Sequence, residues 1–332
     1  MDSSMRGYAL VEELAARLAP SDLVLLTGRN KERVAAAVER ARSHVEGRVL
    51  DVTDKDAVAS MAQTLGRTDI VISNAIAPLV PDRPQTGQAD EFIAVANGGT
   101  HAMLRSFAPT LPPGGRLLVV ASGLGTLGYL APRLHPLFEN ASLDEVEATV
   151  ERWRTSVHNG TERDEGWPVW LNVPSKVAEV AAVRAVAAAR RKEDLANGTL
   201  IAAVCPGLVD TRASRPWFKD FSEARTPAQA AGPIVDVTLN PTDPAMYGEL
   251  IQFGKVLPWH SGTPTDPSRL IRPSDRAQQP PEQCRYATEP PTWQGCAKHA
   301  SQRSAAKARA AQRSAGWTSP QPPSRQSSSR SA

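Results

Sequence analysis

Short continuous apolar runs alternate along this chain with longer segments whose apolar residues recur every three or four positions. In residues 7–20, Leu10, Val11, Leu14 and Leu18 share one face of a helix that Pro20 stops. Residues 23–26 (LVLL) predict a buried strand, 31–45 a polar-faced helix, and 47–50 a short strand. A helix over 54–65 leads to a strand at 70–72. A helix over 90–109 leads to a strand at 116–120. Later, an Ala-rich helix begins around Pro174, which suits a first helical turn because its missing N–H costs nothing there. It carries Val177, Val180, Ala181 and Val183 on one face. A strand at 199–204, a helix at 227–239 and a strand at 250–253 complete the series.

Strands that are apolar throughout, rather than at every second residue, are buried on both faces. Alternated with helices, they predict an α/β fold with a doubly wound parallel sheet. Ligands of such sheets bind beyond the carboxyl ends of the strands. Polar clusters stand at that edge: Arg29, Asp51, Asn74, Ser122 and Pro206-Gly207. Loops after strands are polar in any case, but five clusters in this arrangement point to a nucleotide site.

Composition adds a boundary. Hydrophobic residues make up 41% of the 332, enough for a sizeable core. The formal charge of +3 is segregated: residues 261–332 hold 11 Lys and Arg against 4 Asp and Glu, and residues 1–260 hold 27 against 31. The segment after 260 also holds 10 Pro and 12 Ser, with few aliphatic residues to offset its ordering entropy. The expected organisation is therefore a Rossmann-like domain over 1–260 and a disordered basic tail over 261–332, with a short helix possible at 301–314. Cys205, Cys284 and Cys296 form neither a disulfide framework nor a metal signature. No metal, no membrane span and a cytoplasmic location are the expectations. A basic tail is one route to nucleic acid, but this one has no regular aromatic or glycine pattern, and solvated chain is the reading preferred.

Taken in order, Asp51-Val52, Ser73-Asn74-Ala75, Asn97-Gly-Gly-Thr100, Ser122-x-x-Gly125, Lys176 and Pro206-Gly207-x-x-x-Thr211 resemble the motifs of the short-chain dehydrogenase/reductase family. The resemblance covers roughly Gly7 to Trp259, and the long insert with its Gly-Trp-Pro looks most like the carbonyl-reductase branch. It implies hydride transfer between NAD(P) and a small carbonyl or alcohol. Asp51 and Val52 would meet the adenine, Asn74, Pro206, Gly207 and Thr211 the rest of the dinucleotide, and Lys176 the ribose hydroxyls. Ser122 would bond the substrate carbonyl and Asn97 would hold a water in a proton relay. Arg29, where a guanidinium can pair with a ribose 2′-phosphate, argues for NADP(H), its alternative being a solvated surface arginine.

Two departures accompany the resemblance. The family's proton donor is a tyrosine four residues before the lysine; Asn172 stands there, and a carboxamide has no proton to give near neutral pH. Tyr129, Ser175 and Trp170 are weaker candidates for the role. The family also opens with a central strand and a glycine-rich phosphate loop; here Gly7-Tyr8-Ala9 matches only the end of that motif. Residues 1–6 cannot make the strand, so the first strand, due mid-sheet between those at 23–26 and 70–72, is expected to be missing. A start displaced from the true one is the expectation, with a reduced relative as the alternative. Gly7 is kept as the residue nearest the cofactor phosphates.

Between Ser122 and Lys176 lie 53 residues. Within this insert, at about 126–168, Ser142 and Glu145 form a capping box ahead of Val146, Val150, Trp153 and Val157 at helical spacing, which predicts a packed helix. An insert there would hinder helix pairing between subunits, so a monomer is expected. Two functions remain open at this point: an NADP(H)-dependent oxidoreductase, and a non-catalytic relative that binds a ligand or a protein partner.

Overall fold

The computed structural model describes residues 4–262. In chain order the main elements are α1 (Ser4–Arg17), β1 (Val24–Gly28), α2 (Lys31–Val38), β2 (Val45–Val49), α3 (Lys55–Leu65), β3 (Ile70–Ser73), α4 (Ala89–Ile93), α5 (Gly99–Phe107), β4 (Arg116–Val120), α6 (Leu143–Asn159), α7 (Asn172–Ala196), β5 (Leu200–Cys205), α8 (Pro227–Leu239), β6 (Leu250–Gln252) and β7 (Lys255–Leu257). A π-helical stretch, Ala94–Gly98, joins α4 to α5. The expected tail lies outside the described residues except for Ser261 and Gly262, as does the short helix at 301–314.

Strands β3, β4, β5 and β6 pair in parallel, in that order. Every residue of β5 is buried, as its unbroken Leu-Ile-Ala-Ala-Val-Cys run requires of a strand covered on both faces. Helix α7 covers one side of it, with Val177, Val180, Ala181 and Val183 all buried. On the other side α8 packs against α1, and Arg17 fixes the two helices through Asp236 at 2.7 Å.

Two expectations are corrected and one is met. The helix from Lys31 ends at Val38, not Val45: Val45 is already the first residue of β2, paired with Val24. Its apolar side chain fits the pleated surface that β1 offers. Second, β6 turns back at Phe253-Gly254 into β7, an antiparallel edge strand that was not anticipated, so the sheet is not wholly parallel. Gly254 supplies the left-handed φ of +75° for that turn. The expectation met is that of a missing central strand: the sheet is divided there. Strands β1 and β2 form a separate parallel pair, and β1 does not bond to β3. Among the described residues no strand lies between them. Helix α1 links the halves, burying Leu10 and Leu14 in the main core and Ala15 in the smaller core under β1 and β2.

Candidate active site

The site is built at the carboxyl ends of β1 to β5, where the chain leaves each strand with polar residues. Its centre is the first turn of α7. Helix α7 begins at Asn172 and packs against both α5 and α6, so its first turn is fixed by tertiary contacts on two sides. Ser175 and Lys176 are buried there, and Asn172 is half-buried.

The turn after β4 is locked onto that helix. Gly125 closes it with an N–H bond to the Ser122 carbonyl at 2.9 Å. A Cβ on Gly125 would stand 2.7 Å from Val180 Cγ2 and 2.8 Å from the Lys176 carbonyl oxygen, so only glycine permits this approach. The Ser122 hydroxyl accepts from Leu124 N–H at 3.2 Å, which leaves its own proton free to donate.

Asn97 belongs to the π-helical stretch, a local distortion common at functional sites. Its fully buried side chain donates from Nδ2 to the Ser175 carbonyl at 3.0 Å, tying α5's entry to α7's first turn. Its Oδ1 is buried with no partner, and so is Ser175 Oγ. An unpartnered buried acceptor is costly unless a ligand or water meets it. This orphan is what a relay water held by Asn97 would satisfy. Two residues on, Gly99 receives Val52: a Cβ there would stand 2.7 Å from Val52 Cγ2. That contact sets the loop after β2 against α5.

At the other end, Arg29 and Asp51 leave β1 and β2 together. Asp51 Oδ1 accepts from Thr53 N–H at 2.9 Å and Thr53 O–H at 2.8 Å. These bonds, the backbone one foremost, hold its carboxyl below the usual carboxylate range. Oδ2 is left to accept another donor. Arg29 is 60% exposed and meets Glu91 at a loose 3.4 Å, a contact of little energy that a phosphate could replace. After β3, Asn74 Oδ1 is buried without a partner, and its Nδ2 lies 3.1 Å from the position of a Cβ on Gly7 of α1. After β5, the Gly207 N–H meets Cys205 Sγ at 3.4 Å, Pro206 is buried, and Thr211 is held by Ser214 in a local turn. Burial pushes the Cys205 thiol pKa up, so this cysteine stays protonated at neutral pH.

The structure thus brings Ser122, Asn97, Ser175 and Lys176 to one turn of α7, and sets Asn172 at the head of that helix. Tyr129 is placed differently: its ring packs on Gly262, in a loop tied down by Thr126 Oγ1 donating to the Ser261 carbonyl at 2.6 Å. Sequence reasoning missed two features. One is an aromatic wall in which Trp170 stacks on Trp217 at 5.5 Å with Phe218 edge-on, anchored by Trp217 Nε1 donating to the Leu79 carbonyl. The other is Glu179, bonded to Lys176 by both carboxylate oxygens. A single acid within the apolar run at 177–183 was the available signal for it.

The insert helix α6 forms as expected. Its capping box is present, and Val146, Val150, Trp153 and Val157 are buried against the body. Arg105 pairs with Asp144 and Glu147, and Arg154 with Asp90, along its outer edge. Among the described residues there is no cluster of side chains that could hold a metal, and no helix long and apolar enough to cross a membrane.

No protein-family model matches the chain. Curated proteins do: carbonyl reductase (NADPH) 1 of Sus scrofa is 26% identical over 269 residues, covering 76% of this chain and 90% of the pig protein. Its counterpart in Bos taurus is likewise 26% identical over 269 residues, covering 94% of the bovine protein. Among solved structures, salutaridine reductase from Papaver somniferum superposes with a TM-score of 0.62 at 20% identity, over 74% of this chain and 95% of its own. Menthone neomenthol reductase from Mentha piperita gives 0.59 at 20% identity, over 75% and 95%. The two structures establish the fold, and the curated relatives carry the likeness in sequence. In sequence the chain is similar to carbonyl reductases, and it shares its fold with solved reductases.

Proposed function

We propose that the protein is an NADP(H)-dependent oxidoreductase acting on a small carbonyl or alcohol, with turnover limited by Asn172. The observation that carries this reading is the buried, half-satisfied Asn97. It is bonded to the first turn of α7 and leaves one acceptor for a relay water. The names of the curated relatives specify NADPH and a carbonyl substrate, and Arg29 supports the same cofactor.

Several of the chain's groups fit NADP(H). The free Oδ2 of Asp51 suits the adenine amino group, and Arg29 suits the 2′-phosphate. The orphaned Oδ1 of Asn74 suits a donor or water beside the dinucleotide. Lys176 would hold ribose hydroxyls, and Pro206, Gly207 and Thr211 would flank the nicotinamide end. Bound NADPH would supply the hydride. Ser122 would donate its free proton to the substrate carbonyl, and Trp170, Trp217 and Phe218 would exclude water around it.

The last step, protonation of the alkoxide, lacks a donor at position 172. Asn172 can hold a carbonyl by its N–H₂ but gives no proton, so the proton comes from water through the Asn97 relay. This supports a slow enzyme. It also supports the second reading, a relative that binds nucleotide or a partner without turnover. Packing of α6 against α7 favours a monomer in either case.

The test is NADPH-dependent reduction of simple ketones and aldehydes by the parent chain and by Asn172→Tyr. A placed general acid is worth roughly 10²–10⁴-fold, so the variant should gain on that scale. Unchanged activity in a variant that binds NADPH would remove Asn172 as the cause. Brisk turnover by the parent would overturn the reading of a limited enzyme.

A further inference from the structure

Lys176 Nζ donates to both Glu179 oxygens, at 2.8 and 2.7 Å, and the two side chains are only 6% and 3% exposed. Glu179 is the one charged residue among 177–183, where every neighbour is apolar. A lone buried carboxylate in such a run is costly, so its placement is tolerable only with a buried cation beside it. The pair is three residues apart on α7, and side chains in a helix lean towards its N-terminus. The Glu179 carboxylate therefore reaches back over Lys176 and meets its ammonium end-on. The lysine's charge also acts on the Cys205 thiol, which sets the ammonium near the carboxyl end of β5.

An ammonium has three N–H donors. Two are engaged by Glu179 and one remains. A ribose diol gripped by this lysine needs two, one for each hydroxyl. We propose that Glu179 is a positioning residue that clamps Lys176 and sets the protein's affinity for a dinucleotide. Binding of the ribose requires one of the two carboxylate contacts to be released. Glu179 thus tunes the site, holding the lysine ready while charging each binding event the loss of one charge-assisted bond. The proposal rests on the NADP(H) reading for its ligand, but the clamp itself is a property of the free protein.

Glu179→Gln keeps the side chain's size and offers a single carbonyl oxygen, so it frees one lysine donor. Fluorescence titration should then show NADPH bound about tenfold more tightly, equivalent to about 1.4 kcal/mol. In the same protein, arylation of Lys176 by trinitrobenzenesulfonate, followed by peptide mass spectrometry, should quicken several-fold. Glu179→Asp retains the charge but shortens the reach, and should fall between parent and Gln in both measurements. It also serves where the Gln variant fails to fold. If Glu179 only supports packing, the variants lose thermal stability while NADPH affinity and Lys176 labelling stay at the parent values, and the proposal is overturned. If no protein in the series binds NADPH, the cofactor reading fails. Labelling then decides the clamp alone: faster in the variants upholds it, and equal rates overturn it.

Discussion

His101 gives the most quantitative test of the core that supports the site. It lies on α5, four residues after Asn97, 1% exposed, and its Nε2 has no partner. Burial drives its pKa from 6.5 down to about 4; the Glu147 carboxylate opposes this, and Arg105 and Lys55 reinforce it. The folded protein therefore keeps this imidazole neutral where an unfolded chain would protonate it. Above pH 6.5 neither state binds the proton, and the full stability is present. As pH falls from 6.5 towards 4 the unfolded chain takes up a proton that the folded one refuses, and stability is lost. At 1.36 kcal/mol per pKa unit, the complete window is worth roughly 3 kcal/mol, of which about 2.5 kcal/mol is lost by pH 4.5. Carboxylates such as Asp51 and Asp90, held below their usual range by Thr53 and Arg154 respectively, add their own losses at the acid end. The comparison must therefore be with His101→Leu, which removes both the titration and the orphaned nitrogen. Urea unfolding of both proteins at pH 7 and 4.5 should show the parent losing about 2.5 kcal/mol more than the variant. Parallel pH profiles would refute the argument, as would a proton NMR titration placing His101 near 6.5 in the folded state.

Other outcomes follow from the same contacts. Gly125→Ala should cost roughly 1–3 kcal/mol in thermal unfolding, because its methyl meets Val180 and the Lys176 carbonyl; an unchanged midpoint would show that the turn can move. Ser142→Ala should lose about 1 kcal/mol through the capping box of α6, read by the same method, with no change in ligand binding. Arg29→Ala should erase most of a preference for NADPH over NADH in binding titrations; equal affinities in the parent would sink that assignment. Limited proteolysis should remove the segment after residue 262 early and leave a folded body, whereas protection of that segment would count against a solvated tail.

Much of the architecture was legible in the chain itself, since it follows from local pattern. The apolar runs at 117–120 in β4 and throughout β5 pointed to strands covered on both faces, and Ser142 with Glu145 marked the start of α6. The motifs from Asp51 to Thr211 likewise stand in the order of the family they resemble. Boundaries set by competition between elements were not legible. The helix from Lys31 stops at Val38 because Val45 is taken by pairing with Val24, a contact between residues 21 apart. The same holds for the chemistry. The sequence could show that Asn172 stands in a tyrosine's place, because that depends on identity alone. It could not show that Asn97 reaches the carbonyl of Ser175 or that Trp170 stacks on Trp217. Nor could it show that Glu179 turns inward to take two of the lysine's three donors. A helical sequence fixes which residues share a face. Which face is buried, and what meets it there, depends on chain segments brought together only by folding.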